Sequence, residues 1–228
     1  MPSRNSVKLY VENSYYHIYN RGVEKRIIFQ DDQDYAVFLR YLKTYLSPKD
    51  VDGLRKQLVN SEIPWNEKDK ILREIRLNNF NEEIYLIAFC LMPNHFHFLI
   101  KQNSSYSIDT FMNSLVTRYV MYFNRKYNRV GPLFQGVYKA VLVESESQLL
   151  YLTCYIHRNP LSLVTIQKGD PLSKQPSSYY DYLGLRGTEW IKRKDILIFF
   201  SKTNPKMSYK SFVEQTTDFT NIQPLILE

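Results

Sequence analysis

The chain has 228 residues, which is enough for one well-buried domain with extensions or at most two small domains. Its 30 Lys and Arg against 23 Asp and Glu give a net charge of +7, which suits a polyanionic partner without proving one. The two cysteines lie inside apolar runs, which excludes a disulfide framework and predicts buried, reduced thiols. The start has no apolar leader and no later stretch is a charge-free span of membrane length, so we expect a cytoplasmic protein without membrane segments.

The first third of the chain predicts a strand, a helix and an insertion. Residues 15–20 alternate between apolar or aromatic and polar side chains, as in a half-buried strand. The acidic residues within 31–34 can cap a helix over 35–46, in which apolar residues recur on one stripe. Residues 48–80 are charged, weakly periodic and interrupted by proline and glycine, so we expect a helical insertion outside the core.

The middle of the chain predicts a buried hairpin, a helix and a further strand. Residues 84–92 form a continuous apolar run of strand length, and residues 95–102 return as a second strand after a short turn. Residues 107–128 have the periodicity of a long amphipathic helix. Residues 137–143 alternate again as a strand.

A final core helix should follow this strand. Ser145 and Gln148 have the spacing of a capping box, in which the two side chains satisfy free backbone N–H groups at a helix start. Pro160 should end the helix near Arg158, because the residue before a proline is disfavoured in the helical conformation.

The order of the first six elements is strand, helix, strand, strand, helix, strand. This order matches the split β-α-β arrangement, an α+β fold with a ferredoxin-like (RRM-like) antiparallel sheet and helices packed on it. We expect one domain over residues 1–187, including the insertion, and a C-terminal extension over residues 188–228. The tail from about Leu161, with its basic stretch at 184–194, is expected to be peripheral.

Two pairs of residues are candidates for chemistry. His95 and His97 are two apart on a predicted strand, so both side chains project from the same face, as a pair of metal ligands requires. Tyr155 and Asn159 are four apart near the end of a predicted helix and therefore share a helix face. Each pair has an ordinary alternative, namely two satisfied polar side chains beside the sheet, and a packed tyrosine with a C-terminal helix cap. The other two histidines are assigned no role.

Five segments together resemble a known protein family. YHIYNRG, LMPNHFHFLI, NRKYNRVGPLFQGVYKAVLV, YIHRNP and QPSSYYDYLG occur in that order over about residues 15–187. They resemble the REP-associated branch of the single-tyrosine HUH transposases, which are the IS200-like transposases. The pairing of MPNHFHFLI with YIHRNP at this distance is far more specific than either motif alone.

The resemblance implies a role for each candidate residue. In that family the first motif supplies two histidine ligands, which match His95 and His97, and the tyrosine of the second motif is the nucleophile, which matches Tyr155. A polar residue four positions on completes the metal site, and Asn159 occupies that position, where some relatives carry Gln. The implied activity is cleavage and rejoining of single-stranded DNA through a 5′-phosphotyrosine, with Mn²⁺ or Mg²⁺ as cofactor. The implied substrate contains a hairpin, such as a REP-like palindrome, and the enzyme is a monomer or a homodimer.

Basic residues near these motifs are candidates for DNA binding. No acidic residue occurs between Asp109 and Glu144, which suits a phosphate track, although a solvated helix face is the alternative. Tyr119, Tyr122 and Tyr127 lie in the same stretch and could stack on bases, although core packing is the commoner use of tyrosines at this spacing. The predicted DNA-binding residues are Arg21, Lys25, Arg26, Arg118, Arg125, Lys126, Arg129, Lys139 and Arg158.

Two other functions are compatible with the same pattern. A non-catalytic protein that binds single-stranded nucleic acid could use this fold, although the aromatic signature of RNA-recognition modules is missing. A metal-dependent hydrolase could use water in place of Tyr155. A covalent protein–DNA adduct distinguishes the transposase from both.

Overall fold

The structure, a computed structural model, describes residues 10–161 and 175–226. Its centre is a four-stranded antiparallel sheet in the order β2-β3-β1-β4. This is the predicted ferredoxin-like order, and the α+β fold is confirmed. The strands are β1 (Tyr15–Arg21), β2 (Ile84–Met92), β3 (His95–Gln102) and β4 (Lys139–Val143).

Helices cover both faces of this sheet. Six of the eight α-helices in the described residues have buried side chains. Short 3-10 helices occur at Val23–Lys25, Pro205–Met207 and Thr220–Leu225. The α-helices are α1 (Asp32–Leu46), α2 (Val51–Val59), α3 (Trp65–Arg76), α4 (Ser107–Lys126), α5 (Glu146–Leu161), α6 (Tyr179–Tyr182), α7 (Lys194–Leu197) and α8 (Tyr209–Gln215).

One face of the sheet, which we call the phenylalanine face, is packed by α1 and α4. Phe96 and Phe98 of β3 point to this side, and the ring of Phe38 from α1 contacts both, with centroid distances of 5.8 and 6.2 Å. Tyr119 of α4 meets Phe38 edge to face at 4.9 Å. Aromatic pairs in this geometry add to the free energy that burial of the rings supplies. The apolar stripe predicted for α1 therefore forms the main core.

The insertion at 48–80 forms α2 and α3, and neither helix has a buried residue. The two helices pack mainly on each other. Lys49 closes the insertion at its base, because its ammonium donates to the backbone carbonyls of Ile75 and Leu77 at 2.8 and 2.6 Å. The insertion therefore adds surface without extending the core.

The opposite face of the sheet, which we call the histidine face, is covered by α5. This helix starts as predicted, since the Gln148 N–H donates to the Ser145 hydroxyl at 3.2 Å and the Gln148 carboxamide accepts from the Glu144 N–H at 2.8 Å. The predicted end near Arg158 was wrong, because α5 continues to Leu161 and includes Pro160. A proline in a last turn removes one N–H donor, and here the helix tolerates that loss.

The prediction of a peripheral C-terminal tail was also wrong. The C-terminal segment, residues 175–226, runs first along the free edge of β2, where backbone bonds join Leu91 to Pro176, Ser178 to Phe89 and Lys192 to Leu86 at 2.9 to 3.0 Å. Covering this edge satisfies backbone groups that would otherwise be unpaired in the sheet. The Trp190 ring also stacks on Phe89 at 5.8 Å. The segment then continues onto the histidine face, where Ile222 and Leu225 are buried.

Two further sequence predictions concern cysteines and membrane spans. Cys90 and Cys154 are buried free thiols, as predicted. None of the helices in the described ranges is both long enough and apolar enough to cross a bilayer.

Candidate active site

The candidate site lies on the histidine face, between β3 and α5. His95 and His97 project from the same side of β3, and their ring centroids are 5.0 Å apart. Tyr155 from α5 meets His97 edge to face, with a centroid distance of 5.5 Å. Helix periodicity and strand alternation thus bring together residues from two separate parts of the chain.

Asn159 connects the tyrosine to the histidines. It follows Tyr155 by one helical turn, and its side-chain amide is within hydrogen-bonding reach of the side chains of both His95 and Tyr155. Its amide N–H also donates to the Tyr155 backbone carbonyl at 3.3 Å. Because α5 extends past Asn159, this residue is helical and is not a cap outside the helix. We call His95, His97, Tyr155 and Asn159 the four-residue cluster.

The turn before β3 orients the first histidine. The Asn94 carboxamide N–H donates to the Lys25 backbone carbonyl at 3.3 Å, so the carboxamide oxygen is the atom that faces His95. That oxygen lies 2.6 Å from Nδ1 of His95 and can only accept. His95 Nδ1 therefore donates, and the lone pair of the neutral ring lies on Nε2.

His17 is a member of this site that sequence analysis did not assign. Its Nε2 lies 2.9 Å from Nδ1 of His97, and its Nδ1 is hydrogen-bonded to the backbone carbonyl of Leu225 in the C-terminal segment. The alternation of β1 places the His17 side chain on the same face of the strand as that of Tyr19, and this was the only indication in the sequence. It points to the site only once the strand register is known, because the register pairs Tyr19 with His97.

Burial sets the charge state of the site. It lowers the pKa of His17 and of His95 to about 4, with the Arg21 charge adding to the effect at His95 and the Asn159 hydrogen bond opposing it. Burial also places the pKa of His97 well below its usual value. The pKa of Tyr155 is raised by burial, and the Asn159 hydrogen bond acts against that rise. At neutral pH the imidazoles are neutral and the phenol is protonated.

The residues of the cluster fit a divalent cation. Nε2 of His97 is buried and has no hydrogen-bond partner within the described part of the chain. A buried polar atom without a partner costs free energy, and a cation would satisfy its lone pair. The described residues contain no group of three His, Cys, Asp or Glu arranged for a metal, so the protein ligands would be two imidazole nitrogens and the Asn159 amide oxygen. This set leaves positions for substrate oxygens and suits Mn²⁺ better than Mg²⁺.

The tyrosine opens onto a cavity of about 430 Å³. Tyr155 and Asn159 form one wall, and Val213 and Phe219 of the C-terminal segment form the other. Phe219 meets the Tyr155 ring edge to face at 5.8 Å. Arg158 also lines the cavity, but its guanidinium donates to the backbone carbonyls of Val213 and Glu214 at 2.9 and 3.3 Å. In the structure Arg158 therefore anchors the C-terminal segment.

Four of the predicted DNA-binding residues lie near the cluster. Arg21 is directly opposite His95 in the sheet. Lys25 and Arg26 follow it in the loop that contacts Asn94, although Arg26 forms an ion pair with Glu24 at 3.2 Å. Lys139 is exposed at the start of β4 and is directly opposite Tyr19. We retain these four residues as the predicted phosphate contacts.

The basic residues of α4 lie away from the four-residue cluster. Arg118, Arg125 and Lys126 belong to α4, which covers the phenylalanine face, on the side of the sheet away from Tyr155. The guanidinium of Arg118 lies 4.1 Å from the centre of the Tyr41 ring. The ammonium of Lys126 donates to the carboxylates of Asp31 and Asp34 at 2.7 to 2.8 Å. Arg118 and Lys126 have partners within the fold, and Arg125 is exposed on the same helix, so we leave all three out of the proposed phosphate contacts around Tyr155.

Arg129 and the three tyrosines of this stretch are likewise used internally. Arg129 donates to the Asn124 side chain at 3.1 Å, which holds the loop after α4. The Tyr119 hydroxyl donates to the backbone carbonyl of Ile28, and those of Tyr122 and Tyr127 donate to Asp34. These bonds hold the three rings in place within the fold, as the core interpretation of the tyrosines expects.

Comparisons with known proteins identify the family. The sequence profile described as "Transposase IS200 like" matches residues 10–159, well over half of the chain. The chain therefore belongs to the IS200-like transposase family, and at that level it is a transposase. The matched region includes the whole four-residue cluster and ends before the C-terminal segment.

The comparison with curated proteins found no match. Among solved structures, one described as a REP-associated tyrosine transposase bound to a REP hairpin is similar over 90% of this chain and 96% of its own. The two sequences are 9% identical, and the TM-score is 0.45.

Proposed function

We propose that this transposase cuts and rejoins single-stranded DNA through a covalent bond between Tyr155 and a 5′-phosphate. The observation that carries the proposal is the meeting of Tyr155 with His97, whose ring centroids are 5.5 Å apart, with the Asn159 amide within reach of both His95 and Tyr155. A protein that only binds nucleic acid has no need for a half-buried tyrosine beside two neutral imidazoles. The cluster favours catalysis on those grounds.

Tyr155 would act as the nucleophile. Its phenolic oxygen attacks the scissile phosphorus, the bond from phosphorus to the 3′ oxygen breaks, and overall the phenolic proton ends on that departing oxygen. The products are a 5′-phosphotyrosine and a free 3′-OH, so the reverse step rejoins the strand without ATP. Asn159 holds the phenol in place, and its hydrogen bond opposes the rise in the Tyr155 pKa caused by burial.

His95, His97 and Asn159 would hold a divalent cation beside Tyr155. When bound, the cation polarises the phosphoryl oxygen and stabilises the charge that develops there. The protein prepares for this with imidazole rings that are neutral at neutral pH and with ring positions fixed by Asn94 and His17. We expect Mn²⁺ to support activity, and Mg²⁺ to support less.

The proposed substrate is single-stranded DNA that contains a hairpin, in keeping with the motif resemblance to REP-associated transposases. Arg21, Lys25, Arg26 and Lys139 would contact its phosphates. A tyrosine on a helix can reach a backbone that is not locked in a duplex, so plain double-stranded DNA should bind more weakly and stay uncut. We expect this activity in the cytoplasm, from a monomer or a homodimer.

The test is to incubate the protein with hairpin oligonucleotides, matched duplexes and Mn²⁺, and to look for a band that survives denaturation. We expect an adduct with the hairpin, none with the duplex, and none after addition of a chelator. Cleavage without an adduct would support a hydrolase that uses water. Binding without cleavage would support a pure nucleic-acid-binding protein.

A further inference from the structure

We propose that His17, together with the backbone carbonyl of Leu225, fixes the proton of His97 on Nδ1 and so keeps the Nε2 lone pair available to a cation. This inference rests on the proposed function for its purpose, but the position of the proton can be measured in the metal-free protein. His17 is then a positioning residue that acts through His97.

The argument starts at the Leu225 carbonyl. A backbone carbonyl oxygen can only accept a hydrogen bond, so Nδ1 of His17, which is bonded to it, must carry a proton. Burial favours the neutral imidazole, which holds a single ring proton. Nε2 of His17 is therefore left with a lone pair.

The second step passes from His17 to His97. Nε2 of His17 lies 2.9 Å from Nδ1 of His97, a distance for a hydrogen bond in which one nitrogen must donate. Since His17 Nε2 has only a lone pair, His97 Nδ1 donates. The proton of the neutral His97 ring is thus on Nδ1, and the lone pair is on Nε2.

The third step explains why a buried nitrogen of His97 has no hydrogen-bond partner, which costs free energy. Nε2 of His97 is one of the buried side-chain atoms without a hydrogen-bond partner in the described residues. In the opposite tautomer it would be a buried N–H donor facing the cluster, and a cation could not bind it. Outer residues that fix a ligand histidine in this way typically change metal affinity by 10–100-fold.

The link also gives the C-terminal segment a purpose. Leu225 is 208 residues from His17 in the sequence, and its carbonyl sets the proton arrangement on β1 and β3. The matched family region ends at residue 159, so this contact is made by a part of the chain outside it. The C-terminal segment therefore completes the site by preparing the second histidine.

The direct test is the tautomer of His97 in the metal-free wild type, measured by long-range proton–nitrogen NMR of the imidazole rings. The chain has four histidines, so four variants that each remove one ring assign every signal. We expect His17 and His97 both to carry the proton on Nδ1. Observation of the Nε2–H form of His97 would overturn the proposal.

Variants separate positioning from stability, with Mn²⁺ alone as the probe and the signal of free Mn²⁺ in electron paramagnetic resonance as the readout. His17→Leu should weaken Mn²⁺ binding by roughly 10–100-fold. His17→Gln should rescue affinity to within a few-fold, because its amide oxygen can only accept from His97 while its N–H can donate to Leu225. His17→Leu with wild-type affinity would contradict the proposal.

His157→Leu is the matched control. His157 is equally buried, with hydrogen bonds to Tyr209 and Ser178 at 2.6 and 2.7 Å, but it does not bond to His97. This variant should lower the melting temperature and leave both the tautomer and the Mn²⁺ affinity unchanged. If the wild type has the Nδ1–H form of His97 but binds no Mn²⁺, the metal site of the proposed function fails while the positioning by His17 stands.

Discussion

The two faces of the sheet are built on different principles, although they share the same strands. On the phenylalanine face, aromatic rings from α1 and α4 pack on Phe96 and Phe98 and form the main core. On the histidine face, His97 keeps a buried nitrogen without a partner in the described residues. Consecutive residues of β3 therefore serve stability and chemistry in alternation. Substitutions on the phenylalanine face should lower the stability of the protein, whereas substitutions on the histidine face should lower its activity.

The largest expected effect is on the histidine face, at the nucleophile. Tyr155→Phe should reduce adduct formation and cleavage by at least about 10³-fold, because only the reacting oxygen is lost. Hairpin affinity, measured by gel shift, should stay within a few-fold. Tyr151→Phe is the control, since Tyr151 lies one turn earlier and packs on Phe212 at 5.5 Å. Adduct formation that survives in Tyr155→Phe and disappears in Tyr151→Phe would move the nucleophile to Tyr151.

The second prediction compares neighbours on β3. His97→Ala should slow Mn²⁺-dependent cleavage by about 10³-fold, because the charge stabilisation of a metal ion is worth several kcal/mol, while the protein stays folded. Phe98→Ala should lower the free energy of unfolding by about 3–5 kcal/mol through the cavity left in the core. Cleavage rates and urea denaturation of both variants give the comparison. Equal cleavage loss in the two variants, normalised to folded protein, would show that the faces are not separate.

The sequence predicted the phenylalanine face well because its signals are local. Apolar periodicity placed β2, β3 and α4 within a few residues, and the α1 stripe proved to be core. Alternation on β3 and the four-residue spacing on α5 also placed each pair of candidate site residues on one face. That the two pairs meet follows only from the ferredoxin-like arrangement, which the order of the elements predicted.

The rest depended on contacts between distant parts of the chain. The bond from His17 to Leu225 spans 208 residues, and no local pattern indicates it. The edge of β2 is covered by a distant segment that has no repeat and a basic stretch, features that predict a peripheral tail. The acid-free stretch on α4 suggested a phosphate track, but the partners of Lys126 are the carboxylates of Asp31 and Asp34, more than ninety residues earlier. Composition cannot show which charges are already paired.

The third prediction tests that pairing. Lys126→Met should lower the free energy of unfolding by about 1–3 kcal/mol, because it leaves the carboxylate of Asp34, which is fully buried, without its cation. Arg125→Met is the matched control, since Arg125 is exposed on the same helix and loses the same charge. Urea denaturation should separate the two variants. Equal stability of both, together with an equal loss of DNA affinity, would return α4 to the DNA-binding surface.

The smallest expected effect concerns the salt dependence of DNA binding. The logarithm of the hairpin affinity should fall with the logarithm of salt concentration, with a slope near −0.7 per phosphate neutralised on single strands. Lys139→Ala and Arg21→Ala, on the histidine face, should each reduce the magnitude of that slope by about 0.7, the contribution of one phosphate. Arg125→Met, on the phenylalanine face, should leave it unchanged. Hairpin binding that is insensitive to salt would mean that the proposed substrate is wrong, even if the four-residue cluster is the active site.

The covalent bond to Tyr155 is the central claim, and mapping the adduct tests it most directly. Hairpin oligonucleotides labelled at one end at a time are incubated with the protein and Mn²⁺, and the denatured adduct is digested and analysed by mass spectrometry. The account predicts that only the 3′ label stays with the protein, that the other fragment ends in a free 3′-OH, and that the nucleotide is attached to the peptide containing Tyr155. Attachment at any other residue, or release of both fragments without an adduct, would contradict it.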